Sequence, residues 1–156
     1  QYIKLYETPI VVVDEVREEN PRNIQGTIDS LQQFLEKWEY SWENEALDDY
    51  IDAYSEKFNS NRMNLSQWKR YKRNLNRIKK WIRVDIEDVK IIRYHSRAII
   101  MFTQRYSSDT HSDTGVKLLY VWKEKGDWKI VGEEWKSTEE LLALEENKKD
   151  SAHGRR

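Results

Sequence analysis

The chain has 156 residues, 38% hydrophobic and 12% aromatic, and its charged residues, 35% of the total, cancel to a formal net charge of −1. That length suits one compact domain with flanking segments, and the balanced charge leaves no overall field drawing the molecule to nucleic acid or an anionic membrane. The absence of cysteine excludes disulfides, thiolate metal sites and a cysteine nucleophile together.

The opening "QYIKLYETPIVVVDEV" lacks the basic-then-apolar order of a signal peptide, and no apolar run approaches the ~20 residues a bilayer span needs. Its β-branched run after Pro9 predicts a strand or extended arm. Beginning with Gln, without Met and already strand-like, the chain reads as a piece excised from something longer. "DEVREENPRN" is charged, contains Pro21 and has no apolar period, and reads as a linker.

From Thr27, a plausible N-cap, Leu31, Phe34, Leu35, Trp38 and Trp42 recur at three- and four-residue steps and predict an amphipathic helix. A second short helix carries Leu47, Tyr50, Ile51 and Tyr54 on one stripe, and the Asn- and Ser-rich "SEKFNSNRMN" breaks the period. Asn64 and Gln67 have the layout of a capping box, after which Trp68, Tyr71, Leu75, Ile78 and Ile82 define a third helix. Its other faces take the basic residues, among them Lys69, Arg70, Lys72, Arg73, Arg77, Lys79 and Lys80.

Beyond Arg83 the period drops to two. Val84, Ile86 and Val89 begin one strand, and "RAIIMFTQRY", "GVKLLYVWKE" and "DWKIVGEEW" follow as three more. "KEKGDW" is a tight hairpin signal with Gly126 at the positive-φ position, whereas "SSDTHSDTG" reads as a mobile polar loop. Ser137 and Glu140 open a terminal helix whose apolar residues stop after Leu144. Residues 1–23 are thus expected as an extended arm and linker from an upstream domain, 24–136 as the folded domain, and 137–156 as a short helix with a disordered tail. Three helices followed by four antiparallel strands indicate α+β, with helices on one face of a curved sheet.

The strings "FLEKWEYSWENEALDDYIDAYSEKFNSNRMNLSQWKRYK", "AIIMFTQRYSSD" and "GVKLLYVWKEKGDWKIVGEEW" resemble the nuclear-transport-factor-like and SnoaL-like superfamily, whose cone-shaped, cystatin-like fold has this element order. More narrowly they resemble the C-terminal accessory domain of bacterial L,D-transpeptidases and L,D-carboxypeptidases that remodel peptidoglycan. The likeness covers about residues 27–136 and rests on the paired Trp38 and Trp42, the "YS..F.S" exit of the second helix, "W..YK" in the third and the closing "WKI..EEW". That enzyme family uses a Cys nucleophile with a nearby His, and nothing here matches it. The resemblance therefore implies a noncatalytic, periplasmic or cell-envelope domain that positions peptidoglycan or an upstream catalytic domain.

The superfamily holds its ligands between the concave sheet face and the helices, so the alternation of each strand defines candidate pocket residues, with the inward side left open. Ala98, Ile100, Phe102, Gln104 and Tyr106 share one side; Val116, Leu118, Tyr120 and Trp122 oppose Lys117, Leu119 and Val121; Trp128, Ile130, Gly132 and Glu134 oppose Lys129, Val131, Glu133 and Trp135. Tyr54, Trp68, Tyr71, Gln104, Tyr106, Tyr120 and Trp135 are expected to form aromatic walls with polar tips, suited to a sugar or peptide. Arg105, with Arg93, Arg97 and the third helix, would supply a basic rim for carboxylates.

For catalysis the sequence offers little. His95 falls at a turn, His111 in a loop and His153 in the tail, and Asp52, Asp85 and Glu134 are expected to be exposed or ion-paired. Neither a metal-binding spacing nor a phosphate loop is present, so no metal, cofactor or catalytic residue is expected. Two other readings stand beside the accessory domain: a SnoaL or ketosteroid-isomerase type enzyme, and a module that dimerises through its open sheet face. A buried carboxylate or His facing an empty cavity would favour the enzyme; a pocket of rings, amides and Arg would favour binding.

Overall fold

A computed structural model describes residues 11–14 and 21–153; the rest of the expected arm and linker lies outside the described residues. Strand β1 (Val11–Asp14) pairs in parallel with β4 (Ile82–Tyr94), and β5 (Arg97–Ser108), β6 (Ser112–Glu124) and β7 (Asp127–Ser137) continue antiparallel in the order β1-β4-β5-β6-β7. On one face of this sheet lie α1 (Pro21–Glu43), α2 (Leu47–Asp52) and α3 (Leu65–Arg77). The α+β architecture read from the sequence is the one observed.

Helix α1 begins at Pro21 rather than at Thr27. Proline is favoured in a first turn because its fixed φ suits the helix and its missing N–H is an orphan there in any case. Thr27 therefore lies inside the helix, its Oγ1 donating back to the Asn23 carbonyl at 2.9 Å. The helix ends where Glu45 takes a left-handed conformation (φ 53) and the Ala46 N–H returns to Ser41 O at 2.9 Å. The stripe of Leu31, Leu35, Trp38 and Trp42 is buried against Val84, Ile100, Phe102 and Leu119 from the sheet, forming one continuous core.

Helix α2 stops at Asp52, so Tyr54 enters an extended segment instead of a helical stripe. There the Ser55 N–H reaches Ile130 O and the Ile130 N–H reaches Ala53 O, both at 2.8 Å, tying the segment to β7. The expected break that follows contains a small hairpin, β2 (Asn59–Ser60) with β3 (Met63–Asn64). Asn61 and Arg62 both have positive φ (54 and 62), as a two-residue turn matched to strand twist requires.

The capping box of α3 forms as read: Asn64 Oδ1 accepts from Gln67 N at 3.0 Å and Gln67 Oε1 from Asn64 N at 2.9 Å. The helix ends at Arg77, and Ile82 belongs to β4. Its two buried residues are Trp68 and Lys72, while Tyr71 and Ile78 are 43% and 65% exposed. The apolar stripe thus enters the core at Trp68 and overhangs the sheet beyond it. "SSDTHSDTG" is mostly strand, since β5 and β6 extend to Ser108 and Ser112 around a short turn, and α4 runs from Thr138 to His153, past the last apolar residue.

Two β-bulges decide which residues face inward. In β4 the register slips between Glu87 and Lys90, with Asp88 at φ 54, so Val84 and Ile86 before it and Val89 and Ile91 after it are all buried. In β7, Tyr120 pairs with Gly132 but Val121 with Ile130, leaving Val131 as an extra residue. Beyond that slip the alternation changes phase: Trp128 and Ile130 are buried, and next comes Glu133 rather than Glu134.

Candidate functional site

Between α3, the β2–β3 turn and the inner face of β5–β7 lies a cavity of about 550 Å³, within the usual size of small-molecule sites. Trp42, Trp68, Tyr106 and Trp135 form its walls, with Gln104 between them. Tyr71 and Leu75 of α3 and Ile78 at its C-cap border it, as do His111 of the β5–β6 turn and Asp113 of β6. Lys72, Lys117 and Glu133 line the inside, and Lys79, which bonds the Tyr106 hydroxyl, lies near them.

The charged centre is built on a chain of hydrogen bonds running in from α1. Trp38 Nε1 donates to the Tyr54 hydroxyl (3.2 Å), and that hydroxyl donates to Glu133 Oε1 (2.5 Å). With its proton so committed, Tyr54 accepts from Tyr50, 2.7 Å away. Lys117 Nζ holds the other carboxylate oxygen, Glu133 Oε2, at 2.8 Å. Burial alone would push the Glu133 carboxyl up; Lys117 and Lys72, with the bonds from Lys117 and Tyr54, outweigh it and hold the group below the usual carboxylate range. Burial, and next the charge of Glu133, push Tyr54 and Tyr50 well above the usual phenol value, so both remain donors. Tyr54→Phe should therefore leave Trp38 Nε1 and one Glu133 oxygen unsatisfied and lower stability by about 1–3 kcal/mol in urea unfolding; no change would mean that Tyr54 fills space only.

Lys72 makes no ion pair among the described residues. Its ammonium sits over Trp42 (4.6 Å to the ring centroid), Trp68 (4.8 Å) and Tyr50 (5.7 Å), a cation–π cage that supplies attraction without neutralising charge. Desolvation first, then Lys117, lower its pKa to about 7. Below neutral pH two buried ammonium groups thus face the Glu133 carboxylate, and above it Lys72 discharges.

Of the residues expected in the pocket, Trp68, Tyr71, Gln104, Tyr106 and Trp135 line it together. Tyr54 does not; it is 4% exposed and acts from behind Glu133. Tyr120 and Arg105 are corrections, since both alternate onto the outer sheet face, where Tyr120 donates to Glu134 (3.1 Å) and Arg105 pairs with Glu87 (3.4 Å). The basic rim also divides: Arg93 is buried, Arg97 lies 4.5 Å from the Trp122 ring, and Lys69 of α3 pairs with Asp48. Asp52, Asp85 and Glu134 are partnered by Lys129, Arg83 and Tyr120.

Among the lining residues missed are Trp42, read as core, and the charged Lys72, Lys117 and Glu133. Lys72 was placed on the wet side of α3, yet it stands four residues after Trp68, where the stripe demands an inward residue. Lys117 shares its face with Leu119 and Val121, a single charge in an otherwise apolar alternation. Glu133 shares its alternation face with Trp135, itself expected in the pocket, but the bulge at Val131 is what joins that face to the side of Trp128 and Ile130. Glu133 is a buried carboxylate at a cavity, the feature set out as favouring an isomerase-like enzyme. Tyr54 and Lys117 each engage one of its oxygens, and the lowered pKa makes the carboxylate a weaker proton acceptor than a base tuned towards neutrality. Glu133 stands as the counter-charge of Lys117.

Helices over a curved sheet, with a cavity opening between them, define an NTF2-like domain. Residues 30–134 match the family model of the Cds6 C-terminal NTF2-like domain, and the chain belongs to that family. Among solved structures it is similar to Bd1075 of Bdellovibrio bacteriovorus, with 30% identity and a TM-score of 0.70 over 76% of this chain and 43% of that one. In fold it is also similar to a mutant of Pgp2, a helical cell shape determining protein of Campylobacter jejuni, with 24% identity and a TM-score of 0.62 over 69% of this chain and 40% of that one. An NTF2-like protein of Pseudomonas putida, at 10% identity and a TM-score of 0.65 over 72% and 87% of the two chains, shares the fold alone. The chain thus spans less than half the length of Bd1075 and Pgp2. Curated proteins gave no match.

Proposed function

We propose that this domain is a noncatalytic accessory module of a peptidoglycan-remodelling enzyme of the cell envelope, and that its cavity holds an anionic part of the wall to position substrate or catalytic domain. The observation that carries the reading is the charge of the lining: Lys72, Lys79 and Lys117 stand against Glu133 and Asp113 in a cavity walled by Trp42, Trp68, Tyr106 and Trp135. Peptide stems supply carboxylates for the ammonium groups, and sugar rings supply apolar faces for the indoles. The overhanging Tyr71, Leu75 and Ile78 fit the same reading, because a helix stripe left out of the core is surface kept for a partner. Support also comes from the fold shared with Pgp2, which is described as determining helical cell shape.

An amide-shift titration with a stem tetrapeptide, free and on its disaccharide, tests this. Saturable shifts at Trp68, Lys72, Gln104, Tyr106 and Trp135 are expected. No shift from either at millimolar concentration would overturn wall recognition by this cavity.

A further inference from the structure

We infer that the cavity reads the free C-terminal end of a peptide, with the terminal carboxylate beside Lys72 and Lys117 and the last amide N–H donated to Gln104 Oε1. The inference rests on the wall-binding reading and narrows it to one chemical end of the ligand.

Three observations converge on it. Gln104 lines the cavity at 3% exposure, and its Oε1 has no hydrogen-bond partner among the described residues. A buried acceptor left without a donor is unfavourable, so a well-fitting ligand brings one. Lys72, in its aromatic cage, makes no ion pair and calls for an anion. Gln104 and Lys72 line the same cavity, and Lys117, whose ammonium shares the Trp42 ring with that of Lys72 (5.6 and 4.6 Å to the centroid), links the two. Gln104 of β5 is opposite Gly115 of β6, and Lys117 stands two residues along that strand on the same face, a diagonal spacing of roughly 7–8 Å. Gly115 puts no side chain between them, and any Cβ there would fall 2.2 Å from Lys136 O.

A ligand that satisfies both demands carries an anion and a hydrogen-bond donor a few ångströms apart. The last residue of a peptide does so, with an amide N–H and a carboxylate on one Cα. A glycan lacking free acids offers donors without the anion, and a simple carboxylate the anion without the donor. A free amino acid would place its ammonium beside two lysines, where like charges repel.

The test uses the wild-type protein and Gln104→Met with four ligands in the same amide-shift titration: the stem tetrapeptide, its C-terminal carboxamide, its analogue with an ester in place of the last amide, and the disaccharide without peptide. The acid is expected to saturate, the carboxamide to bind at least tenfold more weakly for want of charge, and the ester about tenfold more weakly for want of the donor. In Gln104→Met, acid and ester should bind alike. A carboxamide or ester as tight as the acid overturns the inference, as does a disaccharide that accounts for all the binding; both outcomes leave wall recognition standing. If none of the four binds, both readings fall together.

Discussion

Glu133→Gln is expected to lower the stability of the domain by about 3–5 kcal/mol, the scale for removing one partner of a buried pair. Glu133 is 2% exposed and receives both Lys117 and Tyr54. An amide presents an NH₂ group to one of these donors and leaves Lys117 buried without a counter-charge. Lys72 also loses the acid that opposes its desolvation, so it gives up its proton more readily and the anion hole weakens with the fold. At roughly 2–4 °C of Tm per kcal/mol for a chain of this size, thermal unfolding should show a fall of at least about 6 °C. A shift under 2 °C would mean that Lys117 escapes to solvent and that the pair organises nothing.

Lys72→Met should have the opposite sign on stability while removing ligand affinity. Met keeps the length and the ring contacts but sheds a charge whose burial has lowered its pKa from 10.5 to about 7. Below pH 7 both folded and unfolded wild-type chains hold this proton, and the folded state bears the whole desolvation penalty. Between about 7 and 10.5 the unfolded chain retains the proton and the folded one releases it, so wild-type stability rises with pH. The advantage of Met, a few kcal/mol at pH 6, should therefore shrink towards pH 9.5 in denaturant titrations. Carboxylate affinity should fall more than tenfold in the variant, and in the wild type it should decline above neutral pH as Lys72 discharges. If Met were destabilising at pH 6, the cage of Trp42, Trp68 and Tyr50 would outweigh the desolvation, and Lys72 would be structural.

Both expectations concern residues that a linear reading left out of the pocket, for different reasons. Lys72 lay within reach, since the spacing that put Trp68 and Leu75 inward puts position 72 between them. It was assigned outward by residue type, because lysine is seldom buried unpaired. Glu133 was in reach only through Trp135, two residues further along the same alternation face. Strict alternation joins Glu134 to Trp128 and Ile130, and the sequence "KIVGEEW" does not announce that Val131 is an extra residue against β6. For Tyr120 and Arg105 the alternation was correct and the inward side was not known; the site had been drawn from both faces of the sheet.

What the sequence determined by itself is what periodicity and local chemistry encode: helices before strands, the Asn64–Gln67 cap, the Gly126 hairpin and the faces along each strand up to the next irregularity. These depend on neighbours a few positions apart, and such interactions survive in a linear string. The tertiary structure alone decided which face is concave, where the bulges at Asp88 and Val131 reset the alternation, and that α3 stands off the sheet far enough to leave a cavity. Pairing register and inter-layer distance are set by groups far apart in sequence, such as Tyr54 and Glu133, and the charge at the centre of the site exists only once those groups meet.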